Sequence, residues 1–592
     1  FSENVFASLP RTVRGLPLVL NVTADGKKLL YCNGNSVYIR SIENWNECDM
    51  YTEHATATTV AKCSPSGFYI ASGDQSGKIR IWDASQLTHI LKAEYPILAG
   101  PVRDISWSDD SKRIAVVGEG RDRFGHVFLF DTGTSNGNLS GQSRSTSSVD
   151  FRPARPYRLI TGSEDNTIAI FEGPPFKFKT LFHEHERFVH CVRYNLDGTL
   201  FASAGADGKV IIYEGVEGMK QGELVDVACK GVAHAGSVFG LCWSPDNLYI
   251  ATASGDKTVK IWNVASRQLE KTFKMGNAVE DQQLSIVWTN NALISVSLSG
   301  FINYLDRKSE SIERVISGHN KPITALALSP DKSLAFTADF EGNISEFLIS
   351  ITGMIVSNHG QLSTIAWDDL KFLLNFYQLS GDVHPSFIKL ESQPRGIAAS
   401  ADCRIVVVAC QKSVAVFLDQ KCVFTNNNKY ESTCVAVTPD AKLIAVGGQD
   451  NRAHIYEFAN NQLINVKELS HSGAITSLSW DFNGMFLVVT DAVRKVVPYS
   501  MKNDFAVASE KDWTFHSGRV NCSAWSPNNR LIATGGIDTN IIIWDLEKSG
   551  EHPIIIKGAH SMSPINALAW LDTKKLLSVG QDSVLKTWIV NV

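Results

Sequence analysis

Histidine, a hydroxyl residue and aspartate recur together four times in this 592-residue chain: His185, Ser203 and Asp207; His234, Thr252 and Asp256; His516, Thr534 and Asp538; His560, Ser578 and Asp582. These are the residue types of nucleophilic hydrolysis, in which an imidazole takes the hydroxyl proton and a carboxylate orients the imidazole. In each set the carboxylate follows the hydroxyl by four residues and precedes an aromatic by six, at Tyr213, Trp262, Trp544 or Trp588. Catalysis needs one accessible constellation, whereas a set repeated at a regular interval argues for an architectural part. The expected role is to satisfy buried donors and acceptors so that a turn keeps its shape.

Other chemistry has little support. There is no GxxxxGK[ST] loop and no HExxH, and Gly118-Glu-Gly120 and Gly447-Gly448 read as turns with no helix after them to hold a phosphate. The eleven cysteines are scattered singly without a CxxC pair, which argues against zinc and for a reducing compartment. No catalytic, metal or cofactor residues are expected, and the chain does not read as an enzyme. The 56 basic against 61 acidic residues, net −5, oppose nucleic-acid binding. Apolar runs such as Cys403–Cys410 are strand-sized, far from the roughly 20 residues of a membrane helix. Phe1–Phe6 carries no signal-peptide pattern, so a cytoplasmic protein without membrane partners is expected.

What must position the recurring sets is a repeat. Trp243-Ser-Pro-Asp246 leads through Asp256 to Trp262; Trp525-Ser-Pro-Asn528 leads through Asp538 to Trp544-Asp545; Cys63-Ser-Pro-Ser-Gly67 leads to Trp82-Asp83. The residue closing each third strand falls at Ile39, Trp82, Phe130, Phe171, Tyr213, Trp262, Leu305, Phe347, Leu374, Phe417, Tyr456, Tyr499, Trp544 and Trp588. Most intervals are 39 to 49 residues, the period of four-stranded propeller blades. Fourteen units exceed a single ring, so the expected fold is all-β, with two seven-bladed WD-type β-propellers. Phe347 to Leu374 spans only 27 residues: either the ninth unit lacks a strand or residues near 350–362 are absent.

The last unit stops at its third strand, Lys586–Val592, while Asn4–Leu9 is a spare strand-like segment. An open sheet edge invites association, so the two are expected to pair. The expected domains are 15–318, and 319–592 together with 1–14, which close the last blade.

Particular segments go beyond the bare repeat. Gly118-Glu-Gly-Arg-Asp-Arg-Phe-Gly125, Lys495-Val-Val-Pro-Tyr-Ser500, Trp513-Thr-Phe-His516 and Pro553-Ile-Ile-Ile-Lys-Gly-Ala-His560, on a chain of fourteen units, resemble the actin-interacting protein 1 family over essentially the full length. The resemblance implies a monomeric cytosolic regulator that binds actin filaments decorated with cofilin, promotes their severing and disassembly, and hinders barbed-end elongation. It implies no cofactor. Such a protein must prefer cofilin-bound over bare filaments, because a ligand shifts an equilibrium only by preferring one state. A propeller is also a general binding platform. The alternative is a scaffold or adaptor, as in a ubiquitin ligase, which would show no cofilin-dependent association.

Loops from second to third strand, and from outer strand to the next blade, open on one face of a propeller. Three first-ring segments are expected there: the charged loop Glu119–Phe124, the turn at Glu164-Asp165, and His183–Phe188. Pro174–Lys179, between them, starts the fourth blade's outer strand. Mixed charges with aromatics suit a protein interface. The expected contact patch is Asp122, Glu164, Lys177, Phe178 and Phe188, with Asp165 structural. The alternation of Phe176 and Phe178 with Lys177 and Lys179 fits equally well with phenylalanines packed inward.

Overall fold

The computed structural model describes residues 2–591 apart from 45–46, 87, 122, 329–333, 340–343, 349–360, 369–370, 379–382, 391, 403, 420, 549 and 561. Among the described residues the chain forms fourteen antiparallel sheets, twelve of four strands and two of three, with helix limited to four single turns. Within every sheet but the last the strands pair in chain order, innermost first, and the fourteen sheets make two seven-bladed propellers. No helix among the described residues is long and apolar enough to cross a membrane.

The repeat length follows from the strand chemistry. Strands such as Ile405–Cys410 and Leu531–Gly536 are short, β-branched or small in the middle, and bounded by turn residues. In the turn after Gly205, Gly208 adopts φ +79°, and a Cβ there would come 2.3 Å from the His234 carbonyl. Only glycine tolerates that approach, which brings the fifth blade against the entry to the sixth. Most inner strands also carry a register shift between their first and third residues, as between Val102 and Asp104 or Thr146 and Ser148. Such a bulge bends the strand and re-aims the side chain beyond it.

Between blades the aromatics that close the third strands fill the core. Trp82, Trp262 and Trp544 have no exposed surface. Trp82 stacks on Tyr51 with centroids 4.3 Å apart, and Trp544 stacks on Trp513 at 4.9 Å. Aromatic pairs of this kind add about 0.5–1.5 kcal/mol beyond the area they bury.

One compact unit is Ala7–Asn320 and contains blades 1 to 7. It closes where the Leu18 N–H donates to the Leu284 carbonyl at 3.2 Å and the Tyr304 hydroxyl donates to the Ile42 carbonyl at 3.1 Å. The other unit is Lys321–Val592 with Phe1–Phe6. Its last blade is Ile565–Trp570, Lys575–Gly580 and Leu585–Ile589, with Ser2–Phe6 as the outer strand. Ser2 pairs with Trp588 and Phe6 with Leu585.

The division differs from the expected 1–14 at residues 7–14. These belong with the first ring because its polar groups hold them: Tyr31 donates to the Ser8 carbonyl, Asn33 to that of Leu9, and Thr12 to that of Leu298. Leu9 is also buried there, its N–H bonded to the His319 carbonyl. Blades 8 and 9 each show three strands. The segment 349–360, where the shortened interval was noted, lies outside the described residues.

Candidate protein-binding face of the first ring

The recurring polar sets are closed circuits. His185 Nδ1 lies 3.0 Å from Asp207 Oδ2 and its Nε2 2.8 Å from Ser203 Oγ. The same two distances are 2.9 and 2.7 Å for His234 with Asp256 and Thr252. They are 2.9 and 2.8 Å for His516 with Asp538 and Thr534, and 2.9 and 2.7 Å for His560 with Asp582 and Ser578. The indole N–H of Trp262, Trp544 and Trp588 donates to the same hydroxyl at 3.0, 2.8 and 2.8 Å. Burial pushes the Asp207, Asp256, Asp538 and Asp582 carboxyls up, but the adjoining histidines outweigh it and hold them below the usual range. Each hydroxyl is buried, and those of Thr252, Thr534 and Ser578 are engaged from two sides. That arrangement staples strands and leaves the oxygen no face for a substrate.

A fifth set escapes the sequence spacing. In blade 2, His54 lies 3.1 Å from Asp74 and 2.7 Å from Ser72, and Trp82 donates to Ser72 at 3.0 Å. Its carboxylate follows the hydroxyl by two residues instead of four.

The innermost strands of blades 2 to 5 hold a second group of polar residues. Arg193 Nη1 of blade 5 donates to Asp104 Oδ2 of blade 3 at 2.9 Å and to Ser148 Oγ of blade 4 at 2.8 Å. Asp104 also accepts from Ser148 Oγ at 3.0 Å and the Val149 N–H at 3.1 Å, and Lys62 Nζ of blade 2 stands 3.9 Å away. Asp150 of blade 4 accepts from Ser106 Oγ of blade 3 and the Tyr194 N–H of blade 5. Burial pushes Asp104 up, but Arg193 and Lys62 hold it below the carboxylate range; burial dominates at Asp150, which is raised. Burial, then repulsion from Arg193, lowers Lys62.

Above these strands, hydrogen bonds link the turns of one face. Ser145 Oγ donates to the Gly118 carbonyl at 3.4 Å, and the Glu164 N–H donates to the Ser145 carbonyl at 2.9 Å. Asn166 Nδ2 donates to the Glu186 carbonyl, and the Ala206 N–H to the Phe188 carbonyl. Glu164 and Phe188 therefore share the face, with Glu164 half-buried and Phe188 40% exposed. Asp165 accepts from the Ser143 N–H and the Thr167 N–H, and these bonds fix its turn. Asp122 lies outside the described residues.

Lys177 and Phe178 lie elsewhere on the blade. In the outer strand Lys177–Phe182, Phe182 pairs with Ile168 beside the turn, whereas Phe178 pairs with Phe171 and Lys177 with Glu172. At 3.3 Å per residue they sit about 13 and 16 Å down the outer wall. Phe178 is 45% exposed, packs edge-on against Phe171 and lies over Gly141, whose Cβ would come within 2.7 Å of the ring. Phe176 is the inward one, buried against Phe151. Next to Gly141 opens a cleft of about 730 Å³ lined by Ile97, Leu98, Arg121, Arg123, Phe124 and Leu139 among others.

Comparison with known proteins agrees with this architecture. The family described as WD domain, G-beta repeat matches residues 45–83, 133–172, 176–214, 228–263, 310–345, 420–457 and 509–545. Actin-interacting protein 1 of Caenorhabditis elegans is 51% identical, covering 100% of this chain and 99% of that protein. Actin-interacting protein 1 of Drosophila melanogaster is 49% identical over 100% and 98%. WD repeat-containing protein 1 of Xenopus tropicalis is 41% identical over 99% of each. The chain belongs to the actin-interacting protein 1 family of WD-repeat proteins.

Proposed function

We propose that this protein binds actin filaments in the cytoplasm and promotes their disassembly, acting on filaments decorated with cofilin. The observation that carries the reading is 51% identity over the whole chain to a protein named for its interaction with actin. The mechanism is differential binding. Two closed rings present fixed surfaces, and a surface that fits the cofilin-bound filament better than the bare one shifts filaments toward the decorated, breakable state. No covalent step is required of the chain.

The contact surface runs over the rim of blades 4 and 5, from Glu164 and Phe188 down the outer wall to Phe178 and Lys177. Half-exposed aromatics beside free charges have the character of interface anchors. The test is cosedimentation with actin filaments, with and without cofilin. Wild-type protein should pellet far better with cofilin. Phe188→Ala, and separately Glu164→Ala, should weaken binding by about 2 kcal/mol, roughly thirtyfold, in a folded protein. Cofilin-independent pelleting would favour a scaffold role, and full activity with Glu164, Lys177, Phe178 and Phe188 all replaced would remove the surface.

A further inference from the structure

We propose that Arg193 and Asp104 are positioning residues for partner binding: their partly buried ion pair locks blades 3, 4 and 5 into the arrangement that presents Glu164 and Phe188. The proposal rests on the functional reading above.

The geometry carries it. The two residues are 89 positions apart and belong to blades that are not neighbours, so Arg193 must reach across the inner strand of blade 4. It does so through Ser148, whose hydroxyl donates to Asp104 and accepts from the Val192 N–H at 3.2 Å. Arg193 Nη1 also donates to the Val192 carbonyl at 2.8 Å, which fixes the guanidinium to its own strand. Asp150 completes the lock from blade 4, with one carboxylate oxygen on blade 3 and the other on blade 5.

The blades tied together in this way are the ones whose turns form the linked face. Gly118 ends the second strand of blade 3, Glu164 lies in blade 4, and Phe188 enters blade 5. The inner strands carrying the lock start from that face: Ser145 immediately precedes Thr146–Phe151, and Phe188 immediately precedes Val189–Tyr194, which holds Arg193. Among the described residues of the second ring, the inner-strand side chains that meet include neutral ones, as where Ser523 contacts Ser477 and Ser479 at 3.1 and 3.0 Å. A charge pair that skips a blade and has its carboxylate fully buried is costly to assemble and has few alternative partners, which suits a part that specifies one geometry.

The experiment compares the full-length wild type with Arg193→Met, Arg193→Lys, Ser148→Ala and the control Asp256→Ala, which removes a comparable carboxylate from blade 6. Affinity for cofilin-decorated filaments is measured at a temperature where every variant is folded, together with amide exchange in the turns 163–167 and 205–208. Arg193→Met should weaken affinity about fivefold or more, with the amount bound at saturation unchanged and exchange in both turns faster. Arg193→Lys should recover part of the loss. Asp256→Ala should lower the unfolding temperature while leaving affinity intact. A folded Arg193→Met that binds like wild type would overturn the proposal, as would an equal loss in Asp256→Ala. If Arg193→Met does not fold, Ser148→Ala decides: a smaller loss supports the lock and wild-type affinity overturns it. Failure of the wild type itself to bind is a separate outcome, which overturns the functional reading and the proposal with it.

Discussion

The two rings pack their innermost strands with opposite chemistry. In the first ring the third and fifth residues of successive inner strands include Lys62, Asp104, Ser148, Asp150 and Arg193, joined by hydrogen bonds and ion pairs across four blades. In the second ring the same places hold Cys434 and Ala436, Ser477 and Ser479, Cys522 and Ala524, and Ala567 and Ala569. Among the described residues its polar bonds between inner strands are local and neutral, as where Asn521 donates to the Ile565 carbonyl at 3.0 Å and Asn566 to the Ile323 carbonyl at 2.7 Å. Both solutions close a ring. Neutral bonds between small side chains fail one at a time, whereas an ion network fails as a whole, because losing one member strands another charge away from water. The first ring is thus the one built to hold a single geometry.

Four measurements test that contrast. The largest effect is expected from Asp104→Asn, which leaves Arg193 and Lys62 without their carboxylate. The first ring should lose about 3–5 kcal/mol in urea unfolding, with the second ring's transition unmoved. Loss of both transitions together would mean the rings do not unfold independently. Deleting residues 1–6 should do the reverse. It exposes the edge of Leu585–Ile589 and removes backbone hydrogen bonds of about 1 kcal/mol each, for a loss of about 2–4 kcal/mol confined to the second ring.

Acid should soften both rings, since His–Asp circuits occur in each. The Asp74 carboxyl is raised by burial but held down to about 2 overall by His54 and Ser76. A depressed folded value means its stabilisation is complete above the unfolded value near 4 and disappears as pH falls through about 2. After solvent screening this amounts to about 1 kcal/mol, readable as a falling unfolding temperature between pH 5 and 2. Asp150, raised by burial, has the opposite sign, so the first ring should soften less per circuit. The smallest effect is expected from Ser523→Ala, at about 0.5 kcal/mol. A loss as large as that of Asp104→Asn would end the distinction between the rings.

Much of this was readable before any fold was known. Spacing located the blades, because every third strand must end in a residue that fills the gap to the next blade, as Trp262 and Trp544 do. The same spacing marked the His–Ser/Thr–Asp circuits as structural. It passed over the blade 2 circuit because Asp74 sits at the end of its strand instead of in the turn. The inner-strand charges were missed for a different reason. Within one strand, a lone Lys62 or Arg193 among alternating apolar residues reads as a solvated face, and only the ring brings four such faces together. A signal was present: Lys62, Asp104, Asp150 and Arg193 follow one another at 42, 46 and 43 residues, the blade period itself. Lys177 and Phe178 were expected at the start of the outer strand, where they lie, but their distance from the Glu164 turn could not be read, because residue type suggests which side a residue faces, whereas height along the blade depends on register.

The pairing of Ser2–Phe6 with Leu585–Ile589 sets a timetable for biogenesis. The first ring can finish while the ribosome is still working, since all its blades precede residue 321. The second must wait for its final hairpin, and at 5–20 residues per second the opening strand stays without its partner for about half a minute to two minutes. During that time it is a sticky ribbon in a crowded cell, and bulky tags fused ahead of it would obstruct the last step of assembly.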